Sequence, residues 1–239
     1  MQQRVQKILR EWGIASRREA EKMILAGRIK INDRPIKLGE RADPQEDIIK
    51  IDDKILTNRP DLSYILVHKP KGVVSTCHDP QNRQTVIDLL APELRCNQGI
   101  HPVGRLDRDS TGALLLTNDG QLTLNLTHPR YHLKKTYQLW VKGNPSESIL
   151  DKWREGIMLE DKKTLPAQVE ILTQKPTKTL LKIVINEGRN RQIRKVGDLL
   201  GFPVLNLHRI AIGSIRLSSL PCGQYRFLQD WEIKKLTKK

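Results

Sequence analysis

An α+β fold, with a mixed and largely antiparallel sheet behind a small α/β module, is the architecture this chain predicts. Three observations carry that expectation. The first sixty residues switch from a helical apolar period to a two-residue period within a short span. Beyond them, apolar runs of strand length recur at 64–68, 113–117, 137–141 and 179–185, with helices expected only at 146–154 and 190–200. That is not regular strand-helix alternation, and no G-x-G-x-x-G turn follows any strand, so a dinucleotide-binding fold is unsupported.

The elements follow in order. Val5, Ile8, Leu9 and Trp12 recur at helical spacing, and Gly13 ends the pattern. Ser16 and Glu19 form a capping box for a second helix with the apolar face Ala20, Met23 and Ile24, which Gly27 stops. Residues 28–31 alternate as a strand, Asn32-Asp33 turns the chain, and 48–51 supplies another strand. So small a unit buries little and reads as a binding module. Residues 57–61 are polar, contain Pro60 and lack periodicity, so the predicted domains are 1–58 and 62–239.

Composition narrows the function. Of the 239 residues 38% are hydrophobic and 29% charged, and no apolar run approaches the roughly 20 residues of a membrane span. The N-terminus lacks an apolar signal block, and the expected site of action is the cytoplasm, with no membrane partner. Cys77, Cys96 and Cys222 lie far apart, which predicts neither a disulfide framework nor a metal site. The net charge of +15 points to a polyanionic partner, nucleic acid above all. The surplus is clustered: residues 1–37 carry ten Lys/Arg against four Asp/Glu, whereas 38–60 carry four against six.

The segment GRLDRDSTGALLLTNDG, 104–120, invites three readings. It could be a polar turn feeding a buried strand, an aspartyl phosphatase signature, or the seat of a different acid chemistry. The phosphatase needs a strand running into Asp107 and a metal beside it. Here a turn-prone lead precedes Asp107, and Arg105 and Arg108 would repel a cation. An acid among arginines is instead held ionised, and an oriented carboxylate can act without a metal.

Two resemblances sharpen this. Residues 15–21 (ASRREAE) and 27–33 (GRIKIND) resemble the S-four-type RNA-binding domain of a small-subunit ribosomal protein, over roughly residues 2–56. That implies RNA phosphate contacts at Arg17, Arg18, Lys22 and Arg28, consistent with arginines at a helix start that itself favours anions. The 104–120 segment resembles the catalytic motif of pseudouridine synthases of the RsuA type. Lys69-Pro70-Lys71-Gly72 precedes it, and Lys135-Thr136-Tyr137 and 187–195 (EGRNRQIRK) follow in the family's order. Ala113 stands where the family more often has leucine.

The resemblance implies an isomerase that detaches uracil from its ribose and rejoins it through C5. It implies Asp107 as the essential carboxylate, attacking the sugar or removing one of its protons. Tyr137 is implied beneath the flipped base, and Arg194 as the arginine pairing with the aspartate. Arg105, Arg189, Arg191 and Ile193 are implied at the substrate, because the base must leave its stack. No cofactor is implied. The implied partner is ribosomal RNA or an assembling ribosomal subunit, bound by a monomer, with the large-subunit RNA favoured over the small. A non-catalytic RNA-binding or assembly protein is the competing class.

Overall fold

The computed structural model describes residues 1–57, 60–128, 130 and 133–237. Asn58 and Arg59, within the expected linker and its boundary, lie outside them. The chain separates into two compact units. One contains 1–63 with 90–101 and 117–120, and the other 64–89, 102–116 and 121–239.

In the first unit α1 (Val5–Glu11) and α2 (Arg17–Leu25) pack beside a four-stranded sheet. Its strands are β1 (Ile29–Ile31), β2 (Arg34–Pro35), β3 (Ile49–Ile51) and β4 (Lys54–Ile55), in the order β2-β1-β3-β4. The Ser16 hydroxyl accepts from the Glu19 amide at 3.2 Å, half of the capping box the sequence predicted. Asn32 and Asp33 take φ of 48° and 66°, the left-handed pair that a tight hairpin turn requires. Val5, Ile8, Leu9, Ala20, Ile24, Ile29 and Ile49 form the core.

The second unit is built on a mixed, mostly antiparallel sheet. In chain order its main elements are β5 (Tyr64–Lys69), β6 (Thr111–Thr117), α3 (Gly120–Thr127), β7 (Lys135–Lys142) and α4 (Glu147–Glu155). Then come β8 (Gln168–Lys175), β9 (Lys178–Ile185), α5 (Gln192–Leu199), β10 (Val204–Ile212), β11 (Tyr225–Phe227) and α6 (Asp230–Thr237). The strand order is β8-β9-β7-β10-β6-β5-β11, with β10 and β6 parallel through His208–Thr111 and Arg209–Gly112. Along β7 the side chains of Tyr137, Leu139 and Val141 are buried and alternate with more exposed neighbours, the two-residue period of a strand.

Five of the six predicted strands or helices of this unit extend a residue or more beyond an expected end. The helix expected over 190–200 begins later, because Arg191 adopts a left-handed φ of 52° and serves as its N-cap. The sequence reading missed the helices α3 and α6 and the strands β11, β8 and β10. Of these, β8 is an edge strand with mostly exposed side chains, and β10 has its apolar run broken by His208-Arg209.

Candidate active site

The segment after Gly104 leaves the sheet as a loop and re-enters it at Thr111, so its shape depends on what ties down its backbone. Lys69 does much of this. At the end of β5 it has no solvent exposure, and its ammonium donates to the carbonyls of Pro70 at 2.8 Å and Ser110 at 2.9 Å, with a longer contact to Arg108 at 3.4 Å. Burial pulls its pKa from 10.5 down to about 8, while the nearby Asp107 and Asp109 charges oppose that shift. The Ser75 hydroxyl donates to the Leu106 carbonyl at 2.8 Å and accepts from the Leu106 amide at 3.1 Å. The Gly72 amide donates to the Arg108 carbonyl at 2.9 Å. A loop with so many of its backbone groups satisfied presents Asp107 from a fixed base.

The Asp107 carboxylate is 30% exposed and opens onto a cavity of about 210 Å³. Arg105, Asp107, Tyr137, Arg189, Arg191 and Ile193, all expected at the substrate or in catalysis, line this one cavity. Tyr137 reaches it from the buried face of β7 and is 6% exposed. The sequence therefore brought together residues from a loop, a strand and a helix start.

The arginines differ from expectation in detail. Arg194, expected to pair with the aspartate, donates instead to the Val204 carbonyl at 3.1 Å and the Asp109 carbonyl at 3.4 Å. Arg191 is the one that faces the acids, 3.7 Å from Asp107 and 3.8 Å from Asp109. Its left-handed backbone turns the side chain out of the helix toward the loop, whereas Arg194 lies along the helix and meets backbone. Arg189 lines the cavity, yet its guanidinium binds the carbonyls of Leu159, Lys162 and Lys163 and the Glu187 carboxylate. Arg189 thereby pins the hairpin around residues 158–163, to which Lys195 adds an ion pair with Glu160.

Two cationic residues at the cavity were not foreseen. Arg209 is 3% exposed on β10, donates to the Ala113 carbonyl at 2.6 Å, and approaches the Tyr137 hydroxyl at 3.4 Å with its guanidinium 5.9 Å from the ring centre. The readable signal was Leu207-x-Arg209-x-Ala211, an arginine on the inward stripe of a strand. Ala113, the departure from the family pattern, is fully buried. Lys135 also lines the cavity, donates to the Leu133 carbonyl at 3.1 Å, and has its pKa lowered by burial and then by Arg209.

In the other unit Arg17 and Arg18 are exposed in the first turn of α2. Lys22 lies 3.7 Å from Glu19, and Arg28 forms a two-pronged pair with Asp52, its closer arm at 2.5 Å. Two of the four expected phosphate ligands therefore have carboxylates beside them.

A sheet of this topology, carrying a loop-borne aspartate opposite a strand tyrosine in a cation-rich cavity, is the framework of an RNA-modifying isomerase. The RNA pseudouridylate synthase family model matches residues 63–197, and the S4 domain model matches 3–48. The chain belongs to the RNA pseudouridylate synthases, in the branch with an S4 domain in front. It is 38% identical to the ribosomal large subunit pseudouridine synthase B of Bacillus subtilis, over 98% of this chain and 95% of that protein. It is 37% identical to an RNA pseudouridine synthase of Aquifex aeolicus, over 100% and 95% of the two chains. A crystal structure of a pseudouridylate synthase superposes with a TM-score of 0.72 at 35% identity, covering 98% of this chain and 99% of that one.

Proposed function

We propose that this pseudouridine synthase isomerises one uridine of large-subunit ribosomal RNA, acting as a monomer in the cytoplasm on RNA or an assembling subunit. The likeness to the Bacillus subtilis enzyme along nearly the whole of both chains supports the large subunit over the small. In this reading residues 1–58 anchor the RNA through Arg17, Arg18, Lys22 and Arg28, and residues 62–239 carry the chemistry. Where Lys22 and Arg28 have acid neighbours, phosphates would compete with exposed carboxylates, which hold such pairs weakly in water.

The convergence of Asp107 and Tyr137 in one cavity carries the mechanistic proposal. The flipped uracil stacks on Tyr137, with Arg105 and Ile193 at its flanks. Asp107 acts on the sugar, by attack or by proton removal, while the N1–C1′ bond breaks. The base turns, C5 bonds to C1′, the C5 hydrogen leaves as a proton, and N1 takes one up. The atoms balance as an isomerisation with no redox change. Arg191 supplies the positive charge facing Asp107, and Arg194 is a positioning residue acting through the Asp109 carbonyl.

The hydrogen expelled from C5 is the test. Unmodified ribosomal RNA transcribed with tritium at C5 of uridine should release label to water, with or without a metal chelator. Asp107→Asn should abolish release while RNA binding persists, because phosphate contacts dominate affinity. Binding without any release by the wild-type protein, from naked RNA and from assembling subunits alike, would favour the non-catalytic alternative.

A further inference from the structure

The face of the sheet turned away from the cavity carries an arrangement that catalysis does not use. Lys142 at the end of β7 stands directly opposite Lys178 on β9, and Lys178 directly opposite Lys175 on β8. Directly paired residues of antiparallel strands share a face with their Cβ atoms about 4.5–5.5 Å apart, where like charges are destabilising. Three lysines thus form one cross-strand row. Trp140, two residues before Lys142 and so on the same face, lies beneath it. The ammonium groups of Lys178 and Lys175 stand 4.8 and 5.5 Å from the Trp140 ring centre.

The row is held in place. The Gly143 amide donates to the Thr177 carbonyl at 2.7 Å, and the Thr179 hydroxyl donates to the Gly143 carbonyl at 2.9 Å, joining β7 to the β8–β9 turn. Among the described residues none of the three lysines forms an ion pair. Further along the same two strands, Glu170 is engaged with Lys182 at 3.0 Å. Lys142 and Lys175 are exposed. An ordered row of like charges on an aromatic platform has an unfavourable self-energy that an anion would relieve. A second copy of this chain, itself at +15, is disfavoured by charge.

We infer that Lys142, Lys175 and Lys178 form a second RNA-binding surface, gripping phosphates of the substrate RNA outside the nucleotide being modified. This rests on the reading of RNA as substrate. Trp140 orders the ammonium groups by cation–π attraction. The site reads no bases; it adds affinity for long RNA and makes binding more salt-dependent.

The triple variant Lys142→Gln/Lys175→Gln/Lys178→Gln tests it, with binding measured in the Asp107→Asn background against transcribed unmodified large-subunit ribosomal RNA. The slope of log affinity on log salt should shrink by about 2, from about 0.7 per lost single-strand phosphate contact. The triple lysine-to-arginine variant should keep the slope. In the active protein, tritium release should keep its kcat and show a raised KM. The melting temperature should hold or rise as the like charges are removed. An unchanged salt slope, as an acidic protein partner would leave, overturns the inference. So does a smaller slope accompanied by a fall in melting temperature, which would make the row structural. Absence of tritium release by the wild type would instead strike the enzymatic reading, leaving the slope measurement to stand by itself.

Discussion

Both units carry exposed ion pairs, but the second also buries cations against its own backbone. In the N-terminal unit Arg28–Asp52, Lys30–Asp53, Arg34–Glu40 and Lys50–Asp33 pair at 2.5–2.7 Å across short strands and turns. At least one side chain of each pair is well exposed to water. In the second unit Lys69 and Arg209 are buried with no carboxylate ion pair among the described residues, and their main partners are backbone carbonyls. Exposed pairs are screened and contribute little to stability. A buried cation satisfied by carbonyls fixes the backbone it binds, and removing it orphans every acceptor at once. Charge near water is available for exchange with a ligand. Charge away from water is architecture.

The largest effect should follow from breaking the buried side. Lys69→Met keeps most of the apolar stem and leaves the Pro70 and Ser110 carbonyls without their donor. Each orphaned acceptor costs roughly 1–3 kcal/mol. Asp107 would also lose its fixed base, and a displacement of about 1 Å can cost on the order of 100-fold in rate. Denaturant unfolding and tritium release measure the two losses. Wild-type turnover in this variant would remove Lys69 from the support of the loop.

A smaller effect sharpens the comparison within the N-terminal unit, which also buries a base. Burial holds His101 well below its usual 6.5, at about 4, with Arg10 and Arg17 adding to the shift against the opposing hydrogen bond to Gly99. The unfolded chain therefore takes up this proton first as pH falls. The contribution is complete above pH 6.5 and is lost as pH drops through about 4, and is worth about 3 kcal/mol as an order of magnitude. A His101→Leu variant should lack this dependence. If both proteins lost stability in parallel between pH 6.5 and 4, the histidine would not be its source.

The smallest effect is expected where charge is paired and exposed. Asp52→Ala should leave the melting temperature within error and free Arg28 for phosphate, so RNA affinity at low salt should hold or rise. A clear loss of thermal stability would show that the Arg28–Asp52 pair belongs to the fold.

Local features of the chain were legible because they depend on neighbours in sequence. Ser16 caps α2, Gly27 follows its end with a left-handed φ of 69°, and Asn32-Asp33 turns between β1 and β2. The alternation in β7 similarly fixed which face Tyr137 occupies. Arg209 escaped notice because an arginine in an apolar strand interrupts the pattern by which strands are recognised. Its meaning emerges only when β10 lies parallel to β6 and the Ala113 carbonyl is within reach.

The same limit explains the arginines of the 187–195 segment. Sequence alone determined the class of fold, the S4 domain and the enzyme family, because motif order and periodicity are written along the chain. Only the tertiary structure decided that Arg191 faces Asp107, that Arg194 holds backbone, and that Arg189 pins a hairpin. Those partners lie from 10 residues away, for Arg194 and Val204, to 85, for Arg194 and Asp109. Which donor meets which acceptor is set by backbone dihedrals at a helix start and by strand register, and residue identity fixes neither until the sheet has closed.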